Sequence, residues 1–354
     1  MFTAKEWLSK IDDQRECFRK YREECYDIIR RYKNNHVLRT YYDDDTTYNL
    51  LYSIVETLKP VLYNRTPKAE SRATNKRNIL SREVAQLLEN VLNNITENYD
   101  FDYVIQSCIH DYVLNGLGCV RVVYDTFNQD TTFISSITGD EETVNLKVFE
   151  EVKTEYVSWN NVIFADAKKW EDVNWIAFRA FMTKEQVKEQ FGAGKANNLI
   201  YDNVDEKEAD ERDYSITSNS EAKDKKVEVF EIWDKDNRKQ IFLVREDAKI
   251  LATNDDPLKL DGFFPIPRPL FMNQCNDELI PTPLYEYFRS QLDELEEISV
   301  RIRSLVQEIK RRGYYNADIP NATEIVTAPD NTFIPVDNFA QLSLNTGADG
   351  LINS

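Results

Sequence analysis

Histidine is nearly absent from this 354-residue chain: His36 and His110 are the only two. Neither has a chemical partner close in sequence, and His110 falls in an apolar helical stretch, where it reads as a core or interface side chain. Glycine is sparse too, with nine residues. No GxxxxGK[ST] cradle and no GxGxxG after a strand occurs, and "GLG" at 116–118 marks a helix stop instead. HExxH and GxSxG are missing as well. The five cysteines, Cys17, Cys25, Cys108, Cys119 and Cys275, form no CxxC pair. That argues against a disulfide framework or a structural zinc site and for buried thiols in a reducing compartment. No stretch approaches the ~20 apolar residues of a membrane span, so no membrane partner is expected. "MFTAKEWLSKIDDQRECFRK" is charged throughout, unlike a signal peptide, and the chain is expected to be cytosolic when made.

Basic charge is also short, with 44 Lys and Arg against 62 Asp and Glu, a net charge of −18. No basic patch stands out, so nucleic acid, if met, should be met without a tight grip. Asp43-Asp44-Asp45 could bind a divalent metal, but adjacent carboxylates ahead of a helix more often cap it and face water. No catalytic residue, cofactor or metal is expected, and the chain does not read as an enzyme.

What is present is enough apolar surface to build cores: 42% of residues are hydrophobic and 12% aromatic. The length allows two or three domains, or one elongated chain with several lobes. Residues 4–33 repeat bulk at helical spacing through Trp7, Ile11, Cys17, Phe18, Tyr21, Cys25, Ile28, Ile29 and Tyr32, predicting one amphipathic helix. Further helices are predicted at 45–62, with Asp45 or Thr46 as N-cap and Pro60 as kink or end, at 78–98, and at 100–115 before Gly116. Then "CVRVVYDTF" (119–127) and "VNLKVFEEVKTEYVSW" (144–159) predict antiparallel strands around the turn "TGDEE". A short helix follows at 183–192, between Thr183 and Gly192. Residues 202–226 form a charge-dense loop. Strands resume at 226–234 and 239–244, giving β-rich regions at 117–165 and 226–252.

"DDPLKLDGFFPIPRPL" (255–270) carries four prolines. They fix four φ angles and remove four donors, so the segment reads as a rigid strut. After it, Leu284, Phe288, Leu292, Leu295, Ile298, Ile302, Leu305 (or Val306) and Ile309 lie on one stripe of a helix 284–312, roughly 40 Å long. Asp293, Glu297, Ser304 and Glu308 project from the other side. Such a stripe must find a cover.

With these pieces in order, the sequence resembles a tailed-bacteriophage portal protein, the head-to-tail connector, with the podovirus portal families nearest. The resemblance spans roughly residues 45–345. It is carried by "NLLYSIVETLKPVLYNRTPKAESR", by "DYVIQSCIHDYVLNGLGCVRVVYD", by "VSWNNVIFADAKKWEDVNWIAFRAFMTKEQVKEQFG" with "VFEIWDK", and by the proline strut running into "IPTPLYEYFRSQLDELEEISVRIRSL".

The resemblance implies an α+β, elongated, portal-like subunit: a wing domain of helices and β-structure at 1–270, a stem helix at 271–312, a small clip lobe at 313–345, and an incomplete segment at 346–354. It implies a homo-oligomeric ring, typically a dodecamer, at one capsid vertex of the virion, assembled in the host cytoplasm. Implied partners are terminase, the major capsid protein, a tail adaptor protein, and double-stranded DNA passing through without sequence specificity. In such a ring Phe288, Leu292, Leu295, Ile298, Ile302, Leu305 and Ile309 are the subunit-interface candidates. Asp293, Glu297 and Glu308 are the channel-facing candidates by helical phase, since carboxylates repel phosphate and let DNA slide. Tyr314, Tyr315, Phe333 and Phe339 are the clip docking candidates. A second stem helix, a constricting loop and a crown are not recognisable after residue 345, so DNA retention is assigned to no residue. The rival readings are another capsid or tail-adaptor structural protein, and a nucleic-acid-processing enzyme using Asp43–Asp45.

Overall fold

The structure is a computed structural model and describes residues 2–33, 49–98, 100–134, 141–201 and 225–308. The chain divides into two compact units, Met1–Tyr287 and Phe288–Ser354.

The first unit opens with helix α1, Ala4–Cys17, and helix α2, Arg19–Tyr32. A capping box starts α1: the Thr3 hydroxyl accepts from the Glu6 amide and the Glu6 carboxylate accepts from the Thr3 amide. The single helix expected over 4–33 is therefore interrupted, at Phe18, with φ −83° and ψ −2°. Its ring is buried edge-on against Phe164 at 5.1 Å. The buried positions 7, 11, 14, 18, 21, 25 and 28 keep their three-four spacing across the break, which is why periodicity does not reveal it.

Helix α3, Leu50–Leu62, is capped by Asn49, whose Oδ1 accepts from the Tyr52 amide at 2.9 Å. The expected caps Asp45 and Thr46 lie outside the described residues. Pro60 neither ends the helix nor precedes its last turn: it sits inside that turn, where few bonds are forfeited, and the Tyr63 amide still reaches the Lys59 carbonyl at 3.0 Å. Helix α4 covers Ile79–Asn98 and α5 covers Phe101–Asn115. Gly116 closes α5 at φ +83°, a left-handed cap that glycine adopts without strain.

Strands β1, Leu117–Ile134, and β2, Glu141–Val157, make one antiparallel hairpin. It is longer than the expected strands 119–127 and 144–159. Residues 128–134, beyond the expected strand end, continue the ladder past a bulge between Phe127 and Asn128. A second, five-stranded sheet has the order β3-β4-β5-β6-β7 and is antiparallel throughout. Its strands are β3 (Val162–Phe164), β4 (Trp175–Thr183), β5 (Lys226–Asp234), β6 (Lys239–Val244) and β7 (Lys249–Asp255). Helix α6, Lys184–Phe191, lies between Thr183 in a capping box and Gly192, and a short α7, Ala193–Ala196, follows it. Most of the charge-dense loop 202–226 lies outside the described residues.

The main core joins α1 and α2 to the five-stranded sheet through Trp7, Ile11, Phe18, Phe164, Trp175 and Ile232. A smaller cluster beneath α6 holds Val187, Leu199, Val227 and Phe242. The proline strut is neither helix nor ladder over 256–269. It is pinned by its two phenylalanines: Phe263 stacks edge-on to Trp233 at 5.5 Å, and Phe264 lies 6.0 Å from Trp170. The Pro265 carbonyl accepts from the Val122 amide at 2.8 Å. Phe263 holds φ at +66°, a costly conformation for a bulky residue that its burial enforces. Strand β8, Leu270–Phe271, then pairs with the start of β1.

The first unit ends at a 3-10 turn, Leu284–Tyr287, and the second begins with helix α8, Arg289–Glu308. The continuous helix expected from 284 is thus split, with Tyr285 buried in the first unit. Residues 309–354, which contain the expected clip and C-terminal segment, lie outside the described residues.

Candidate assembly and channel surface

Helix α8 carries most of the residues assigned to assembly. A helix advances 100° per residue, so Leu292, Leu295, Ile298, Ile302 and Leu305 fall within one stripe, and Asp293 and Glu297 fall roughly opposite. The stripe is not covered: Leu295 is 50% exposed and Ile302 54%, and Ile298 and Leu305 are similarly open. Phe288 and Leu292 are half-buried. Four large apolar side chains open to solvent on one face of one helix are what a binding face presents. Ile309, Tyr314, Tyr315, Phe333 and Phe339 lie outside the described residues, and of Glu308 only its place at the end of α8 is described.

On the polar side Glu297 is exposed, and its Oε1 accepts from Arg301 Nη2 at 2.5 Å, one helical turn on. Asp293 is half-buried. This flank is therefore mixed rather than purely acidic, because Arg301 shares the 293–297–301 row. Sequence phase identified the two carboxylates and passed over the cation between them and the helix end.

The residues leading into α8 are held firmly by the first unit. Pro281 and Pro283 run over the Gly116 turn, where a Cβ would stand 3.4 Å from Pro281 Cβ and 3.5 Å from Pro283. The Met272 amide donates to the Gly116 carbonyl at 2.9 Å. Arg31 of α2 donates a hydrogen bond to the Tyr285 hydroxyl. One glycine thus lets helix α5 stop, strand β1 start and the outgoing chain pass close by.

A buried polar node sits beside this turn. Asp111 accepts from the Tyr156 hydroxyl at 2.5 Å and from the Trp159 amide at 3.3 Å, and burial pushes its carboxyl up to about 6. Nearby, the Tyr21 hydroxyl donates to the Asn115 carbonyl at 2.8 Å. Burial raises the Cys108 thiol to about 12 and those of Cys25 and Cys119 well above the usual range, so all three are packing groups. His110 lies edge-on to Tyr32 at 5.4 Å, and burial lowers its pKa.

Nothing described here assembles into a catalytic constellation. A cleft of about 310 Å³ between the hairpin and the five-stranded sheet is lined by Arg121, Glu155, Phe178, Arg179 and Glu231. Its guanidinium groups already have partners: Arg121 meets Glu155 at 3.1 Å and Glu231 at 3.0 Å, and Arg179 donates to Asn161 Oδ1 at 3.2 Å. Among the described residues no three His, Cys, Asp or Glu side chains gather as metal ligands, and no helix is long and apolar enough to cross a membrane. Asp43–Asp45 lie outside the described residues.

One feature of the surface was not anticipated. The loop before α4 and the helix's first turn expose Arg65, Lys68, Arg72, Lys76, Arg77 and Arg82, with Glu70 as the one acid between 65 and 82. The overall excess of acid hides this basic strip. A comparison with curated proteins gives no match. A family model described as Phage P22-like portal protein matches residues 67–297, from the loop before α4 into the first half of α8.

Proposed function

The chain belongs to the P22-like phage portal protein family, and from that premise we infer that its copies close into a ring, near twelve in number, at one vertex of the capsid. The family is a structural one, a component of the phage particle, and membership replaces the alternative of a tail adaptor. The ring would conduct double-stranded DNA inward under the terminase motor and outward at ejection. The motor and later the tail would dock on the clip residues.

The observation that carries this reading is the open apolar stripe of α8. Leu295, Ile298, Ile302 and Leu305 are left half-exposed by a single chain, and burying each fully would yield on the order of 1 kcal/mol or more. Neighbouring copies supply that cover in a ring, and each copy adds the same gain. Asp293 and Glu297 would then face the bore, where carboxylates repel phosphate and keep DNA from sticking. The proline strut, tied down at Phe263, Phe264 and Pro265, holds the chain that feeds the stem in one place on every subunit.

The test is Leu295→Asp in the full chain. A buried carboxylate in the seam costs several kcal/mol per copy, so rings should be lost in sedimentation while the far-UV circular dichroism of the first unit stays unchanged. Rings forming as in the parent chain would remove α8 from the seam.

A further inference from the structure

Helix α4 is turned inside out. Ser81, Ala85, Glu89 and Asn93, small or polar, form the side that its own chain covers. The extended segment before the helix lies along them: the Ala69 amide donates to Asn93 Oδ1 at 2.9 Å, Asn93 Nδ2 donates to the Ala69 carbonyl at 3.2 Å, and the Ser71 amide donates to Glu89 Oε2 at 3.3 Å. The apolar side points out. Leu80 is 66% exposed and Leu87 62%, and Val84, Leu88 and Val91, on the same stripe, are about half-exposed. A 20-residue helix is about 30 Å long and roughly 10 Å wide. The stripe from Leu80 to Val91 takes up about half of that length, on the order of 150 Å², and contiguous exposed apolar side chains on one helix face are what a binding face presents.

A ring also requires two different patches on each copy, because a patch that meets itself closes a dimer and stops. The first unit offers a counter-patch. On the β1–β2 hairpin, residues directly opposite share a face, so Val122, Tyr124 and Val152 lie together on one face and all are exposed. The other face is ion-paired, with Arg121 on Glu155 and Lys153 on Asp125, and at the edge of the apolar face the Tyr124 hydroxyl donates to Glu150, which Lys147 also meets. Helix α5 covers the apolar face only at its base, where Gly118 abuts Cys108 and Tyr156 meets Asp111. The hairpin is long enough for α4 to lie along it: 18 residues of strand reach about 60 Å.

Charge complements shape. The α4 patch is flanked by the six cations between Arg65 and Arg82 against one acid. The hairpin strands carry Asp125, Asp130, Glu141, Glu142, Glu150, Glu151 and Glu155 against Arg121, Lys147 and Lys153. We propose that the outward face of α4 packs on the apolar face of the β1–β2 hairpin of the neighbouring copy, a head-to-tail seam within the first unit in addition to the one on α8. This rests on the reading that copies assemble in a ring, and the basic strip steers and fixes the contact.

The test uses the full chain carrying Cys17→Ser and Cys275→Ser, which removes the exposed thiols. Leu88→Cys, Tyr124→Cys and the double substitution are treated with a short bismaleimide, and assembly is followed by native mass spectrometry. The double variant should give a ladder from dimer to full ring on denaturing gels, and each single variant should stay monomeric there. Raising salt before cross-linking should weaken the ladder at least tenfold. Rings without a ladder would overturn this seam and leave the portal reading intact. A dimer from Leu88→Cys alone would show α4 meeting itself and also overturn it. No rings and no ladder would overturn both, whereas a ladder without closed rings would keep the seam and sink the ring.

Discussion

Tyr156 of β2 donates to Asp111 of α5 at 2.5 Å, joining the hairpin to the helix that ends at the Gly116 turn. The carboxyl group is buried and is pushed up to about 6 from an ordinary value of 3.8, first by desolvation, against the opposing pull of the Tyr156 and Trp159 donors. The folded chain therefore holds a proton that the unfolded chain releases between about pH 4 and pH 6. Stability from this group is fully present below that window and falls as pH rises through it, by about 3 kcal/mol. Asp111→Asn keeps an acceptor and removes the charge. The difference in unfolding free energy between parent and variant should swing toward the variant by up to about 3 kcal/mol from pH 4 to pH 7 in denaturant titrations. A constant difference across that range would contradict the burial argument.

Gly118 is fixed by contact and not by its backbone angles. A Cβ there would stand 2.6 Å from the Cys108 carbonyl oxygen and 2.9 Å from its sulfur. The carbonyl belongs to α5 and cannot step aside. Gly118→Ala should cost about 1–3 kcal/mol and lower the melting temperature by several degrees. An unchanged melting temperature would mean that α5 is not seated against β1 in this way.

The ion cluster around Glu228 of β5 ties α1 to the five-stranded sheet. Arg15, Arg179 and Arg245 approach its carboxylate at 3.7, 4.0 and 3.6 Å, and the Arg179 side chain is only 2% exposed. Glu228→Ala would remove the carboxylate that these three arginines share and should cost about 3 kcal/mol. Urea unfolding measures it, and a loss below about 1 kcal/mol would show that the arginines are satisfied elsewhere.

Much of this architecture could be read from sequence, and the failures share a cause. Strands β5 and β6 fell at the expected 226–234 and 239–244, and helix α6 between Thr183 and Gly192, because there the local signals and the packing agree. Strand β4 lacks alternation since "WIAF" is buried on both faces. The Phe18 break is silent because the apolar spacing runs straight through it. The apolar residues of α4 recur at helical spacing, but periodicity gives only the faces of a helix, not which of them the chain itself covers. The stripe of α8 carried the same ambiguity, and there the exposed Leu295 and Ile302 supply what spacing could not.

The proposed placement of Asp293 and Glu297 on the bore predicts an effect on DNA transport. Glu297→Lys together with Asp293→Lys would replace repulsion with four units of added positive charge per copy. In packaging reactions with terminase, such rings should assemble normally yet move DNA several-fold more slowly, with the defect shrinking as salt screens the contact. A parent-like rate at low salt would place these residues away from the bore.

Native mass spectrometry of the full chain, paired with negative-stain imaging of the same sample, tests the central claim most directly. The account predicts a closed assembly near twelve copies with a central hole wide enough for duplex DNA. A monomer that persists at high concentration, its α8 stripe covered by its own chain, would contradict it.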